Sequence, residues 1–282
     1  MFSGQRSGSS GRAESGQVAV ETALVLPLFM FLILGILQLG MTAQARVMAK
    51  YAVYRAARVG AMQNASLEAM EAAAVFHLLP VLVNNSETIL PTSSSSDVVR
   101  KYMRTMAENE QYKNAGTQMV KIVICGPTLS ELRGTGASPL PAGDQSSRNG
   151  IGSRNEVDFD DPELMLAAGS DAQSGEGMRR YNRLRLRVQL QLLYRMPIPF
   201  ANWIITRTYL GATLPNVLRM TRQGAPPTTP RTDGQRGAVL TLAGKRIYTL
   251  PINVSYAMRM QSNYFLGRYP LPNTNDCIHY SL

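Results

Sequence analysis

The longest apolar run of the chain lies near its N-terminus, between Thr22 and Leu37, and contains no charged residue. With the apolar residues on either side of it, the run is about the length that a helix needs to cross the ~30 Å hydrocarbon core of a bilayer. Its eleven strongly apolar side chains favour insertion by roughly 3–7 kcal/mol, whereas Glu21 at its edge opposes insertion by at most ~3 kcal/mol. The pattern therefore predicts a membrane-spanning helix over about residues 18–40.

The segment after the apolar run favours helix without interruption. Residues 41–62 are rich in Ala, Met and Arg and contain no helix breaker, so the helix should continue out of the bilayer as a stem. A break is predicted at residues 60–64. Two shorter helices should follow, from Ser66 to Leu79 with Ser66 as the N-cap, and from Asp97 to Asn109.

Runs of β-branched or alternating residues predict a mainly antiparallel sheet and an α+β fold class. The clearest alternation, in residues 182–194, places leucine and valine on one face and Arg183, Arg185 and Arg187 with two glutamines on the other. One face should be core and the other wet and cationic. The cationic face either is simply solvated or docks an acidic partner. The predicted strands are Met119–Cys125, Asn182–Tyr194, Ala238–Leu242 and Arg246–Met260.

The segments between the predicted strands differ in composition. Residues 126–180 are rich in Gly, Ser, Pro and Asp, and we predict a long, partly disordered surface insertion there. The apolar connector at 197–217 predicts a helix across the sheet, with Trp203 either in the core or at the membrane edge. The chain thus divides into a leader (1–16), a helix with its stem (17–62) and a domain (63–282).

The net charge of +10 on 282 residues raises the question of an anionic partner. Strongly basic proteins often bind nucleic acid or an anionic membrane surface. Here the basic residues are spread along the chain and no aromatic-rich basic motif occurs, so nucleic acid is not predicted as a partner. The short leader carries Arg6 and Arg12 and should stay in the cytoplasm, which places the bulk of the chain outside. The basic residues that follow the helix weaken this asymmetry.

The sequence contains none of the common catalytic motifs. There is no nucleophile elbow, P-loop, HExxH or CxxC, and the two histidines and two cysteines lie far apart. We therefore predict no enzymatic activity, no cofactor and no metal site, and His77 as an ordinary core or surface histidine. A weaker alternative is calcium, because acidic residues in the insertion could supply oxygen ligands, although they lack the glycine-punctuated order of a calcium loop and Asp161 equally fits a helix N-cap. These residues are Glu156, Asp158, Asp160 and Asp161.

The two cysteines, Cys125 and Cys277, allow only one intramolecular pairing. Outside the cytoplasm a disulfide is permitted. It would close a loop of about 150 residues, stabilise the fold by up to ~5 kcal/mol in the chain-entropy model, and hold the C-terminal tail on the domain. Two free thiols are the alternative.

Glu21 is the unusual residue of the apolar segment, because an acidic group at a membrane edge needs a partner. Five residues before it lies Gly16, which follows a short polar leader. A glycine, four residues, a glutamate and an apolar helix resemble the prepilin-processing signal of type IV pilins. The string from Gly16 to Gly40, with Pro27 and Gly35, and the ARVMAKYAVYRAARVGA pattern of the stem are similar to the TadE-like minor pilins of the tight-adherence (Tad/Flp) pilus system.

The resemblance implies a function and a set of partners. A prepilin peptidase would cut after Gly16, so that Gln17 becomes the first residue and Glu21 the fifth, available for assembly. The product would be a minor pilin or pseudopilin that primes or caps a filament. Its partners would be other minor and major pilins, the inner-membrane assembly platform and membrane lipid. The chain would cross the bacterial inner membrane once, with its domain outside. Gln17 departs from the large apolar residue that begins many mature pilins.

Three alternatives to a processed pilin follow from the same residues. The first is a plain single-pass anchor in which Glu21 sits among lipid headgroups. The second is an anchored accessory protein of a secretion or pilus machine that never enters a filament. The third is a secreted protein cleaved after Ala45, because Ala43-Gln44-Ala45 is an A-x-A site after an apolar run. The native N-terminal residue separates cleavage after Gly16, cleavage after Ala45 and no cleavage.

Overall fold

The structure is a computed structural model that describes residues 11–82, 94–133, 156–160, 183–211 and 234–278. In chain order the elements are α1 (Gly11–Met62), α2 (Leu67–Leu78), α3 (Ser95–Asn114), β1 (Val120–Gly126), α4 (Leu129–Arg133), β2 (Glu156–Val157), β3 (Arg185–Arg195), α5 (Ala201–Tyr209), α6 (Gly234–Gly244), β4 (Thr249–Arg259) and β5 (Tyr264–Phe265).

The main sheet has three antiparallel strands with β3 in the centre, in the order β1-β3-β4. Ile122 pairs with Leu190 on one side of β3, and Leu186 pairs with Met258 on the other. A second, two-stranded sheet pairs β2 with β5. The predicted α+β class with a long N-terminal helix and an antiparallel sheet is confirmed.

The C-terminal half of α1 packs across the sheet and against α2 through small side chains. Ala49, Ala52 and Ala56 are completely buried, as are Leu186 and Leu190 on the facing strand β3. Alanine projects so little from the helix that the backbone of α1 can approach the leucines of the sheet closely, which is how the core reaches high packing density without large residues on the helix.

The Ser66 cap predicted for α2 is confirmed, whereas α3 extends beyond its predicted bounds at both ends. Two residues with positive φ, Asn64 and Ala65, reverse the chain after α1, and the Ser66 hydroxyl then accepts a hydrogen bond from the backbone N–H of Ala69. α3 is longer than predicted because the Asn109 side chain does not end it. Instead, the Asn109 amide exchanges two hydrogen bonds of 2.9 Å with the backbone of Val120 and so joins α3 to β1.

The prediction of a strand at Ala238–Leu242 was wrong. These residues lie in α6, where Ala238, Val239 and Leu242 are buried together against Leu193 of β3 and are spaced as one face of a helix. A five-residue apolar run fits either element, and the tertiary contact with the sheet decides here.

The prediction of a wet face on β3 was also wrong for most of the strand. Gln189 and Gln191 are buried, and the C-terminal tail lies over Gln189. The Gln189 amide donates to the carbonyl of Ile278 (3.0 Å) and accepts from its N–H (2.9 Å). The guanidinium of Arg187 bonds both carboxylate oxygens of Glu131. The face therefore offers no continuous cationic surface to an acidic partner.

Part of the predicted insertion at 126–180 has described structure. Residues 126–133 complete β1 and form α4, and residues 156–160 contribute β2, while the rest of the segment lies outside the described residues. Of the acidic residues considered for calcium, Asp158 accepts a hydrogen bond from the backbone N–H of Asp160, and Asp161 lies outside the described residues. The extent of the insertion and the calcium alternative stay predictions.

Candidate membrane anchor and processing site

α1 is a single helix of 52 residues, which corresponds to a length of about 78 Å at 1.5 Å per residue. Its first described side chains, residues 18–32, are exposed, and apart from Glu21 and Thr22 they are apolar. Leu24 is 72% exposed and Leu28 is 69% exposed. Within the described residues, this is the one helix that is long and apolar enough to cross a membrane. A long apolar surface whose one ring contact with the rest of the described fold is that of Phe31 with Phe200 indicates a membrane anchor.

The three residues predicted to carry processing and assembly lie on this helix. Gly16 and Gln17 are helical and precede the exposed apolar surface. Glu21 is exposed and lies five residues beyond Gly16, which is about 7.5 Å along the helix axis. No other part of the described chain packs on Glu21, so its carboxylate is accessible to a group from another molecule.

The far end of the apolar surface is fixed to the domain by a polar contact that the sequence did not reveal. Gln38 is completely buried, and its side-chain oxygen accepts a hydrogen bond of 3.2 Å from the backbone N–H of Ile198, in the connector between β3 and α5. The Thr42 hydroxyl donates to the Gln38 carbonyl one turn further on (2.8 Å). The polar groups of this part of α1 are thus satisfied within the protein.

The same connector also contacts α1 at an apolar position. The rings of Phe31 and Phe200 meet edge to face with their centroids 5.8 Å apart. Phe200 is the N-cap residue of α5, which also packs on β4. The predicted helix in this connector is confirmed, but it lies beside α1 as well as beside the sheet.

The stem of α1 carries a titratable contact with α2. Arg55 Nε donates to His77 Nε2 over 3.1 Å, and the rings of Tyr51 and Phe76 meet the imidazole edge to face. Burial, together with the nearby Arg55 charge, lowers the pKa of His77, because both disfavour the protonated imidazolium. His77 is therefore a packed, neutral histidine.

The structure joins Cys125 at the end of β1 to Cys277 in the C-terminal tail by a disulfide, with the two Cα atoms 5.4 Å apart. The tail then reaches Gln189 through Ile278. Glu131 of α4 binds Arg187 on the neighbouring part of β3, where Gly126 leaves the space that the Arg187 guanidinium occupies. The disulfide and this ion pair hold the tail and α4 to the sheet face away from α1.

The described residues contain no group of three or more His, Cys, Asp or Glu side chains that could hold a metal ion. Burial raises the pKa of Glu71, which hydrogen-bonds Gln118, and of Tyr264, which lies inside the core. Both groups belong to packing contacts between elements.

The fold and the helix together define a class: an α+β domain carried on one helix whose N-terminal half suits a bilayer. Residues 16–58 match the family model described as TadE-like protein, so the resemblance to TadE-like proteins of the Tad pilus system is confirmed over that segment. The match begins at Gly16 and covers the apolar surface and the stem as far as residue 58. TadE-like proteins are pilus-associated and generally non-enzymatic. No curated protein and no solved structure matches the chain.

Proposed function

We propose that this chain is a minor pilin or pseudopilin that helps to prime or cap a tight-adherence pilus. In this proposal a prepilin peptidase cuts after Gly16, on the cytoplasmic side of the bacterial inner membrane, and the domain lies outside. The observation that carries the proposal is the TadE-like match over residues 16–58. It begins at the proposed cleavage residue and continues through Ala45, the other candidate cleavage position, into the buried stem.

The geometry supports a role for α1 in holding the subunit in the membrane until it is assembled. The apolar half of α1 makes few contacts with the rest of the described chain, so lipid can surround it before assembly and neighbouring helices can surround it afterwards. The hydrophobic core of the domain takes its α1 residues from the stem, from Ala45 onward, and the preceding part of α1 contacts the connector before α5 through Phe31 and Gln38. A subunit of this build can leave the bilayer without unfolding its domain.

Cleavage creates a charge that Glu21 can neutralise. The new α-amino group of Gln17 has a pKa near 8 and is therefore mostly protonated. In the low-dielectric interior of a helix bundle an ammonium group needs an anion. Glu21 is exposed, and on a neighbouring subunit it could pair with this ammonium group and fix the axial register of the two helices.

The experiment determines the N-terminal residue of the native protein by mass spectrometry and follows the protein into sheared filaments. We expect Gln17 as the first residue. Gly16→Lys should block processing, whereas Gly11→Lys, in the same leader, should leave it intact. Glu21→Ala should be processed normally but be lost from filaments, while Glu68→Ala in α2 should not be lost.

Each contrary result has a definite meaning. A native chain that begins at Met1 or Arg46, or a Gly16→Lys variant of unchanged mature size, overturns the processing step. A chain that begins at Gln17 but is recovered only in the inner membrane overturns filament entry and, with it, the other pilins as partners. The protein is then an accessory protein of the assembly platform.

A further inference from the structure

A second apolar surface lies on α5, next to the exposed half of α1. Phe200 is 61% exposed, Trp203 46% and Ile204 47%. These residues and Arg207 are spaced as one face of a helix. The opposite face, with Ala201 and Thr206, is buried in the protein. α5 is thus an amphipathic helix whose apolar face no other part of the described chain covers.

The depth of this surface relative to a membrane follows from its contacts with α1. If residues 18–37 cross the bilayer, Leu37 lies at the outer edge of the hydrocarbon and Phe31 about 9 Å below it. The centroid of the Phe200 ring lies 5.8 Å from that of the Phe31 ring, which is less than the depth of Phe31, so the Phe200 ring also lies below that edge. The hydrogen bond between Gln38 and Ile198 fixes the start of the connector at that edge.

We propose that α5 is a second membrane contact, which lies in the outer leaflet with Phe200, Trp203 and Ile204 among the lipid chains. The burial depth agrees with the ~5–10 Å by which interfacial helices enter the headgroup and acyl boundary. This inference rests on the proposed membrane insertion of α1, but not on processing or filament assembly.

The chemistry of the α5 face fits the bilayer interface. Tryptophan is enriched at this level because its ring is both apolar and able to donate a hydrogen bond. The Arg207 guanidinium lies 5.7 Å from the centre of the Trp203 ring, and its long side chain allows the charge to reach the headgroups while its methylenes stay in apolar surroundings. The apolar face also continues directly onto the apolar surface of α1, which favours lipid over a second protein as its occupant.

Trp203 is the single tryptophan of the chain, so its intrinsic fluorescence reports on the α5 face alone. The full-length protein is reconstituted in vesicles of phosphatidylcholine and phosphatidylglycerol, and its fluorescence is measured with lipids brominated at successive depths. We expect a blue-shifted emission that shallow and mid-depth bromines quench most strongly. The Phe200→Ser/Ile204→Ser double variant should lose most of this quenching. Leu240→Ser, at an equally exposed apolar residue of α6, should keep it.

The failures are distinguishable. If the chain does not float with the vesicles, the proposed membrane insertion is wrong. If the chain floats but Trp203 is not quenched at any depth, the α5 contact is wrong while the anchor stands. If the Trp203 emission is blue-shifted only at a high protein-to-lipid ratio and brominated lipids do not quench it, a second copy of the chain covers the α5 face. The lipid contact is then again overturned.

Discussion

The two halves of α1 share one continuous helix but obtain their stability from different surroundings. The N-terminal half presents large apolar side chains outward, whereas the C-terminal half buries alanines against the sheet. Side-chain size therefore distinguishes a helix surface made for lipid from one made for a tight protein contact. The comparison teaches that changes in the first half should affect membrane insertion, and changes in the second half should affect the folding of the domain.

The largest effect is expected for a charge placed in the buried half. Ala52→Asp puts a carboxylate at a completely buried position without a partner, which should cost about 4 kcal/mol or more and unfold the domain. The matched change Leu32→Asp lies at an exposed position of the apolar half. It should leave the near-UV circular dichroism of the domain in detergent unchanged and reduce membrane insertion by about 2.5–3.5 kcal/mol. Equal loss of domain structure in both variants would contradict the comparison.

Loss of the disulfide should come next. Replacing Cys125 and Cys277 by serine should lower the free energy of unfolding of the domain by about 2–4 kcal/mol, because the crosslink then no longer restricts the unfolded chain. Thermal unfolding in detergent measures the change. A reductant should destabilise the wild type and leave the double variant unaffected, and membrane association through α1 should be the same in both proteins. If reductant has no effect on the wild type, the two thiols are free.

Two glycines of α1 provide a smaller, matched test. A Cβ at Gly60 would overlap the Met70 side chain of α2 and lie 2.8 Å from Leu186 Cδ2, whereas a Cβ at Gly35 would meet nothing within 4 Å. Gly60→Ala should therefore destabilise the domain by about 1–3 kcal/mol through overpacking, and Gly35→Ala should leave its melting temperature unchanged. A neutral Gly60→Ala would mean that the side chains of Met70 and Leu186 can move aside to accept the added methyl group.

The smallest effect is a pH dependence that arises at the contact between the stem and α2. The pKa of His77 is lowered in the folded state, so its contribution to stability is present above the unfolded pKa of about 6.5 and is lost as the pH falls through the folded pKa. The melting temperature should therefore drop on acidification more in the wild type than in His77→Gln. Burial raises the pKa of Glu71, which acts in the opposite direction, so the difference between variants isolates His77.

If His77→Gln and the wild type show the same pH dependence, the contact between Arg55 and His77 does not influence folding.

Local patterns predicted the elements that depend on local chemistry. The apolar run of α1, the Ser66 cap and the alternation of β3 are each properties of neighbouring residues. What the sequence could not supply are contacts between distant segments. The local pattern predicts that Gln189 faces solvent, whereas Ile278, 89 positions later, covers it in the structure. From the sequence, Gln38 is the polar end of a membrane span, and only the structure shows its hydrogen bond with Ile198. The α6 segment is equally compatible with a strand, and its packing against Leu193 of the sheet favours the helix.

The absence of a break in α1 has a consequence for orientation. An α-helix turns about 100° per residue. The number of residues between the apolar half and the stem therefore sets the direction, around the axis of α1, in which the domain projects. One residue inserted between Leu39 and Ala43 would rotate Phe31 away from Phe200 without altering the composition of either half. The length of α1 thus fixes the rotational orientation of the domain about the helix axis. A neighbouring subunit that packs along α1 would meet the domain on one fixed side.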